Sequence, residues 1–130
     1  LYFGYASEDS SGTRDDDTEM TMGAEFASGP VKIGYQHSEV ENATEAGDEV
    51  QAYGINFAVN DDLTVSYSAT ENTVKAIGAT ASSSSEATGV NASYSIGGGS
   101  IRIFSGEQDN AGYTAGVTKK HTEISLSMSF

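Results

Sequence analysis

Apolar side chains recur at every second position along much of this chain, and the run Ile124-Ser125-Leu126-Ser127-Met128-Ser129-Phe130 shows the pattern without a break. A period of two puts alternate side chains on opposite faces, so such a run reads as a β-strand with one greasy and one wet face. The same alternation aligns Leu1, Phe3 and Tyr5, then Met20, Met22, Ala24 and Phe26, then Val31, Ile33 and Tyr35. It returns at Tyr53, Ile55, Phe57 and Val59, and at Leu63, Val65, Tyr67 and Ala69. Val90, Ala92, Tyr94 and Ile96 follow, then Ile101 and Ile103. The pattern predicts an all-β fold of about eight antiparallel, up-and-down strands.

The connections predict how the strands are joined. Ser28-Gly29, Asn60-Asp61-Asp62 and Gly97-Gly98-Gly99 read as short turns. Polar stretches at 8–17, 38–48, 70–86 and 107–119 read as longer connections of ten residues or more, so long and short joints alternate. The expected pairings set Phe26 opposite Val31, Glu25 opposite Lys32, Phe57 opposite Val65 and Tyr94 opposite Ile103. Each keeps the apolar set on one side, as it must, because a one-residue slip exchanges the two faces.

Nineteen acidic against six basic residues give a net charge of −13. Nucleic acid rewards basic surfaces, so it is an unsuitable partner. There is no cysteine, which excludes disulfides, thiolate chemistry and cysteine zinc sites. No apolar run approaches the roughly 20 residues of a membrane helix, a test to which alternating strands are blind. Most of the acid falls in the long polar stretches, at Glu8, Asp9, Asp15, Asp16 and Asp17, then Glu39, Glu41, Glu45, Asp48 and Glu49, with Glu71, Glu86, Glu107 and Asp109. A mouth so charged attracts cations and repels anions, and divalent cations are conceivable partners of these acidic loops. The spacing at Asp15 to Asp17 does not fit an EF-hand loop, so no metal ligand is assigned.

The closing strand, with Phe130 last and Met128, Leu126 and Ile124 before it, resembles the assembly signal of Gram-negative outer-membrane β-barrels. Leu1-Tyr2-Phe3-Gly4-Tyr5 and Asn60-Asp61-Asp62-Leu63-Thr64-Val65-Ser66-Tyr67 are similar in texture to general diffusion porins, most of all to their C-terminal part. The resemblance implies an antiparallel transmembrane β-barrel in the bacterial outer membrane. Residues 1–130 would be a single barrel domain or the C-terminal portion of one of about sixteen strands. It implies a homotrimer, contact with outer-membrane lipid and lipopolysaccharide, and recognition of Phe130 by the barrel assembly machinery. It implies a water-filled channel for small hydrophilic solutes and ions, with no cofactor and no enzymatic activity. The family's constriction loop and arginine cluster have no match here. A complete eight-stranded barrel with a structural or adhesive role, displaying acidic loops, is the alternative.

On this reading Met20, Met22, Phe26, Ile33, Tyr35, Ile55, Phe57, Val65, Tyr67, Tyr94, Ile103, Ile124, Leu126 and Met128 face lipid. The polar face carries Glu19, Glu25, Lys32, Gln36, Gln51, Asn56, Asn91, Arg102, His121 and Glu123. Of these, Glu19, Glu25, Lys32, Gln36, Arg102, His121 and Glu123 are the pore-lining candidates, with Glu25–Lys32 and Arg102–Glu123 as wall charges. Phe26, Phe57 and Phe130 stand toward the short turns, and Tyr5, Tyr35, Tyr53 and Tyr67 toward the loops, as interfacial aromatics would. Catalysis has no motif to start from: His37 and His121 are the only histidines, and no Gly-x-Ser-x-Gly elbow, Walker loop or zinc-binding His pair occurs.

Overall fold

A computed structural model describes residues 1–8, 17–42, 47–75 and 82–128; of Glu8, Asp17 and Asn42 only the backbone is described. Eight strands follow in chain order: β1 (Tyr2–Glu8), β2 (Asp17–Ser28), β3 (Val31–Asn42), β4 (Gly47–Ala58), β5 (Leu63–Lys75), β6 (Ser83–Ile96), β7 (Gly99–Asp109) and β8 (Lys119–Met128). They form one antiparallel sheet in the order β1-β2-β3-β4-β5-β6-β7-β8, each strand paired with its sequence neighbours. β1 and β8 stand at opposite ends of that order, so the sheet is open. Among the described residues there is no α-helix, only a 3-10 turn at Ala111–Tyr113. Phe130 and Ser129 lie outside the described residues, as do Asp9, Asp15, Asp16 and Glu45.

The up-and-down path follows from the turns. Gly29 has φ 54 and Pro30 follows it, the pattern of a type II′ hairpin with Gly first. This places the turn at Gly29-Pro30 rather than Ser28-Gly29, and Ser28 pairs with Val31. Phe26 therefore lies opposite Ile33 instead of Val31, and Glu25 opposite Gly34 instead of Lys32. The second glycine turn moves in the same way. Gly98 takes φ 86 at a two-residue Gly97-Gly98 turn, and Tyr94 pairs with Ile101 rather than Ile103. Both shifts are two residues, so every side chain keeps its face. Across Asn60 to Asp62 the expected pairings of Phe57 with Val65 and Ile55 with Tyr67 are observed. There Asn60 Oδ1 accepts from the Asp62 and Leu63 amides at 2.9 and 2.8 Å, closing an Asx turn.

The strands run further from the turns than apolar alternation indicated. β3 continues to Asn42, β4 starts at Gly47, β5 reaches Lys75 and β6 starts at Ser83. Glu39, Glu41, Asp48, Glu49, Glu71, Glu86, Glu107 and Asp109 accordingly sit on strands, not in loops. The β3–β4 connection shrinks to residues 43–46, no longer than the turn at 59–62. The physical reason is that ladder hydrogen bonds need no apolar side chain. The ribbon persists where the greasy pattern has stopped. Between β7 and β8, the loop folds on itself: the Ala111 amide donates to Val117 O at 2.8 Å and the Gly116 amide to Asn110 Oδ1 at 3.0 Å.

A single sheet has no second layer to cover it. Ala69 and Ala111 are the buried apolar residues among those described, whereas Phe3, Phe26, Tyr53, Ile124 and Leu126 are all more than half exposed.

Candidate functional site

Register fixes the two faces. Directly paired residues share a face, and the pleat alternates along each strand. The row Val31–Phe57–Val65–Ala92–Ile103–Ile124 is apolar from β3 to β8. All fourteen residues expected on the greasy side share the face of this row, from Met20 and Met22 in β2 to Ile124, Leu126 and Met128 in β8. Glu19, Glu25, Lys32, Gln36, Arg102, His121 and Glu123 all fall on the opposite face. Gln51 does not. It is paired with His37 and shares the face of Tyr53, which corrects its placement on the polar side.

The apolar face is a belt, and the belt is oblique. Its loop-ward limit is Tyr5 in β1, Met20 in β2, Tyr35 in β3, Tyr53 in β4, Ala69 in β5, Val90 in β6, Ile103 in β7 and Ile124 in β8. Tyr5 pairs with Met20, but Met20 pairs with Glu39, four residues beyond Tyr35. Tyr35, Tyr53 and Ala69 share a row that meets Thr88, two residues beyond Val90. Val90 meets Ser105, two residues beyond Ile103, which pairs with Ile124. The limit thus descends four, two and two residues over the seven steps from β1 to β8. At about 3.4 Å per residue and about 4.8 Å per strand, the belt crosses the hydrogen-bond rows at about 39°.

Above the belt the same face turns charged. Glu39 lies directly opposite Glu49, and Glu71 opposite Glu86, itself opposite Asp109. Lys75 bridges the first pair, in contact with Glu39 and 3.2 Å from Glu49. His37 stands 3.7 Å from Glu39 and 3.8 Å from Glu49, and Gln51 donates to Glu49 at 2.9 Å. The Lys75 ammonium lowers the Glu39 pKa below its usual 4.5. The Gln51 hydrogen bond and then Lys75 do the same for Glu49. Those carboxylates in turn raise Lys75 above 10.5. The opposite face in this zone is mixed: half-buried Val40, Val50 and Val74 share their rows with Glu19, Asp48, Ser38 and Asn72.

The polar face is built from small residues. One row runs Glu25, Gly34, Gly54, Ser68, Gly89, Gly106, His121. The Phe104 ring lies across Gly89 and Gly106, where an added Cβ would come within 2.7 Å of it. His121 stacks obliquely on that ring, with centroids 6.2 Å apart. Lys32 pairs with Glu25 at 3.2 Å, diagonally across the shifted hairpin. Arg102 and Glu123 form no ion pair among the described residues; Glu123 lies 3.5 Å from His121 instead. On β5 and β6 the described polar face carries no charge at all, only Ser, Thr, Asn, Gly, Ala and Val.

At the β1 end, Tyr2 spans β2. Its hydroxyl donates to Gln36 Oε1 at 2.9 Å, and Gln36 Nε2 donates to Ser38 Oγ at 3.1 Å. Gly23 makes the crossing possible, since a Cβ there would sit 2.3 Å from the ring. Between Tyr2 and β5 the polar face hollows into a space of about 430 Å³, lined by Gln36, Asn56, Ser66, Ser68 and Thr70 over Gly34 and Gly54. Sequence reasoning singled out Gln36 but missed Tyr2 and the glycine floor. The signal available was the period-two placement of Gly34 and Gly54 among polar residues. No protein-family model, curated protein or solved structure matches the chain.

Proposed function

We propose that this chain forms wall of a transmembrane β-barrel of the outer-membrane porin kind, through which small hydrophilic solutes and ions diffuse passively. The observation that carries the reading is the oblique belt. A patch that followed the ladder would keep to the same rows from strand to strand, whereas this one descends eight residues from β1 to β8. A barrel wall has such a descent: its strands tilt by about 35–45° to the axis while the apolar band stays level with the bilayer. The mean slant of about 39° falls in that range. Backbone groups find no water in hydrocarbon, so a sheet seated there must complete its ladders and close. The polar face then encloses water, with Glu25, Lys32, Arg102, His121 and Glu123 as its charged groups. The collar of Glu39, Glu49, Glu71, Glu86 and Asp109 stands beyond the hydrocarbon, outside the membrane-spanning segments. Small side chains on the inner face favour a barrel wider than eight strands, because a narrow one is filled by its side chains.

Single-channel recording in a planar bilayer tests the proposal. Stepwise openings are expected; a silent bilayer from correctly folded protein refutes the channel. A protein monodisperse in plain buffer without detergent refutes the membrane setting itself.

A further inference from the structure

The hollow beside Tyr2 has the features of a binding site, and the geometry points to neutral, polyhydroxylated solutes of one or two sugar rings as its ligands. This rests on the polar face being a water-filled surface, and deepens that reading by naming a solute class. The volume of about 430 Å³ lies within the roughly 300–1,000 Å³ of small-molecule sites.

Its chemistry is selective. Ser66, Ser68 and Thr70 present hydroxyls in a line along β5, each able to donate and accept. The Asn56 and Gln36 amides add the same dual capacity from β4 and β3. A sugar hydroxyl also donates and accepts, so it matches such groups in either sense. The charges at the rim are spent on each other, Lys32 on Glu25 at 3.2 Å. The exposed Lys32–Glu25 pair is balanced, so the rim offers no net charge to favour an anion or a cation.

The aromatic platform is held in place. The Tyr2 ring rests on Gly23, its hydroxyl is fixed by Gln36, and the residue is still 49 % exposed. With Gly23 beneath it and half of its surface exposed, the ring can offer an apolar surface to the C–H face of a sugar. Gly34 and Gly54 form the floor, and a Cβ at Gly34 would meet nothing nearer than Ala24 O at 3.9 Å. A side chain at position 34 would then fill the hollow without disturbing the sheet.

Equilibrium dialysis of folded protein in detergent micelles against radiolabelled trehalose tests the site. Saturable binding is expected with a dissociation constant of roughly millimolar order. Gly34→Leu should weaken it at least tenfold and Tyr2→Ala severalfold, while lactobionate, a charged disaccharide, binds more weakly. Absence of saturable binding overturns the proposal. So does equal affinity in both variants, or lactobionate binding as tightly as trehalose. The channel reading fails separately: trehalose binding with a silent bilayer removes the pore and keeps the site, and conductance without saturable binding does the reverse.

Discussion

Lysine placed along one hydrogen-bond row should cost different amounts at different strands, and the oblique belt says how much. Val31, Val65 and Ile124 share a row on the apolar face. Taken as uniform, the mean slant of about 39° changes depth by roughly 3 Å for each strand step of about 4.8 Å. Val31 and Ile124 are five steps apart in strand order, so they differ by roughly 15 Å within an apolar band about 25 Å tall. Val65, two steps from Val31, lies near the middle, with the ends roughly 6 and 9 Å away on either side. A lysine facing lipid costs about 2–4 kcal/mol at the midplane and falls to about 0–1 kcal/mol at the interfaces. Val65→Lys should therefore destabilise by about 2–4 kcal/mol, and Val31→Lys and Ile124→Lys by about 1 kcal/mol each. Guanidinium titration of protein folded into lipid vesicles measures all three. Equal costs along the row would show that the slant has nothing to do with depth, and a negligible cost at Val65 would show that this face meets water.

The polar face and the collar supply three further tests. Gly89→Val drives a side chain into the Phe104 ring, 2.7 Å from an added Cβ, and should cost about 1–3 kcal/mol, partly recovered by Phe104→Ala; strict additivity in guanidinium melts would refute the contact. Lys75→Met leaves Glu39 facing Glu49 and should cost up to about 1 kcal/mol at neutral pH. Both carboxyls titrate below 4.5 when folded, so this stabilisation is present above that pH and disappears as pH falls through the lowered values. Wild type and variant should converge in acid melts, and a difference that persists there would refute the assignment. Lys32→Glu removes an exposed ion pair of little structural worth but makes the polar wall more negative, so the reversal potential in a salt gradient should move toward cation selectivity; an unmoved potential would place Lys32 outside the current path.

The faces were legible in the sequence because period two needs no knowledge of register. Met22, Ile55 and Leu126 fall on one side whichever turn is chosen, provided the error is an even number of residues. Two hairpins were in fact misread by two. Gly29-Pro30 and Gly97-Gly98 each offered adjacent turn positions, and only the positive φ of Gly29 and Gly98 decides between them. Strand ends were less legible. Alternation in hydropathy stops at Tyr35 in β3, but alternation in the backbone goes on through Glu39 and Glu41. Reading acid as loop hid the collar; Gln51 was legible, since its even spacing from Tyr53 already puts the two on one face. The slant was beyond reach because it is a relation among seven ladders, each needing its own register.

The slant also bears on how the two free edges of the sheet could be paired. β1 and β8 each have one free edge, and exposed edges recruit further strands. If the eight strands close on themselves, the belt must stay continuous across the seam. It descends about one residue per step, and faces match only for even offsets, so Tyr5 would lie opposite Ile124 or Leu126. Paired residues in a ladder have Cα atoms about 4.5–5.5 Å apart, within disulfide reach. The chain has no cysteine of its own to interfere. Oxidation of Tyr5→Cys/Ile124→Cys and Tyr5→Cys/Leu126→Cys proteins therefore distinguishes the closures. The Gly34–Gly54–Ser68–Gly89–Gly106 row leaves the inner face too bare to fill an eight-stranded interior, so no intramolecular bridge is expected while conductance is kept. An efficient intramolecular bridge in either variant would mean that the strands close at eight, and would move the reading from a wide diffusion channel to a narrow barrel that displays its charged collar.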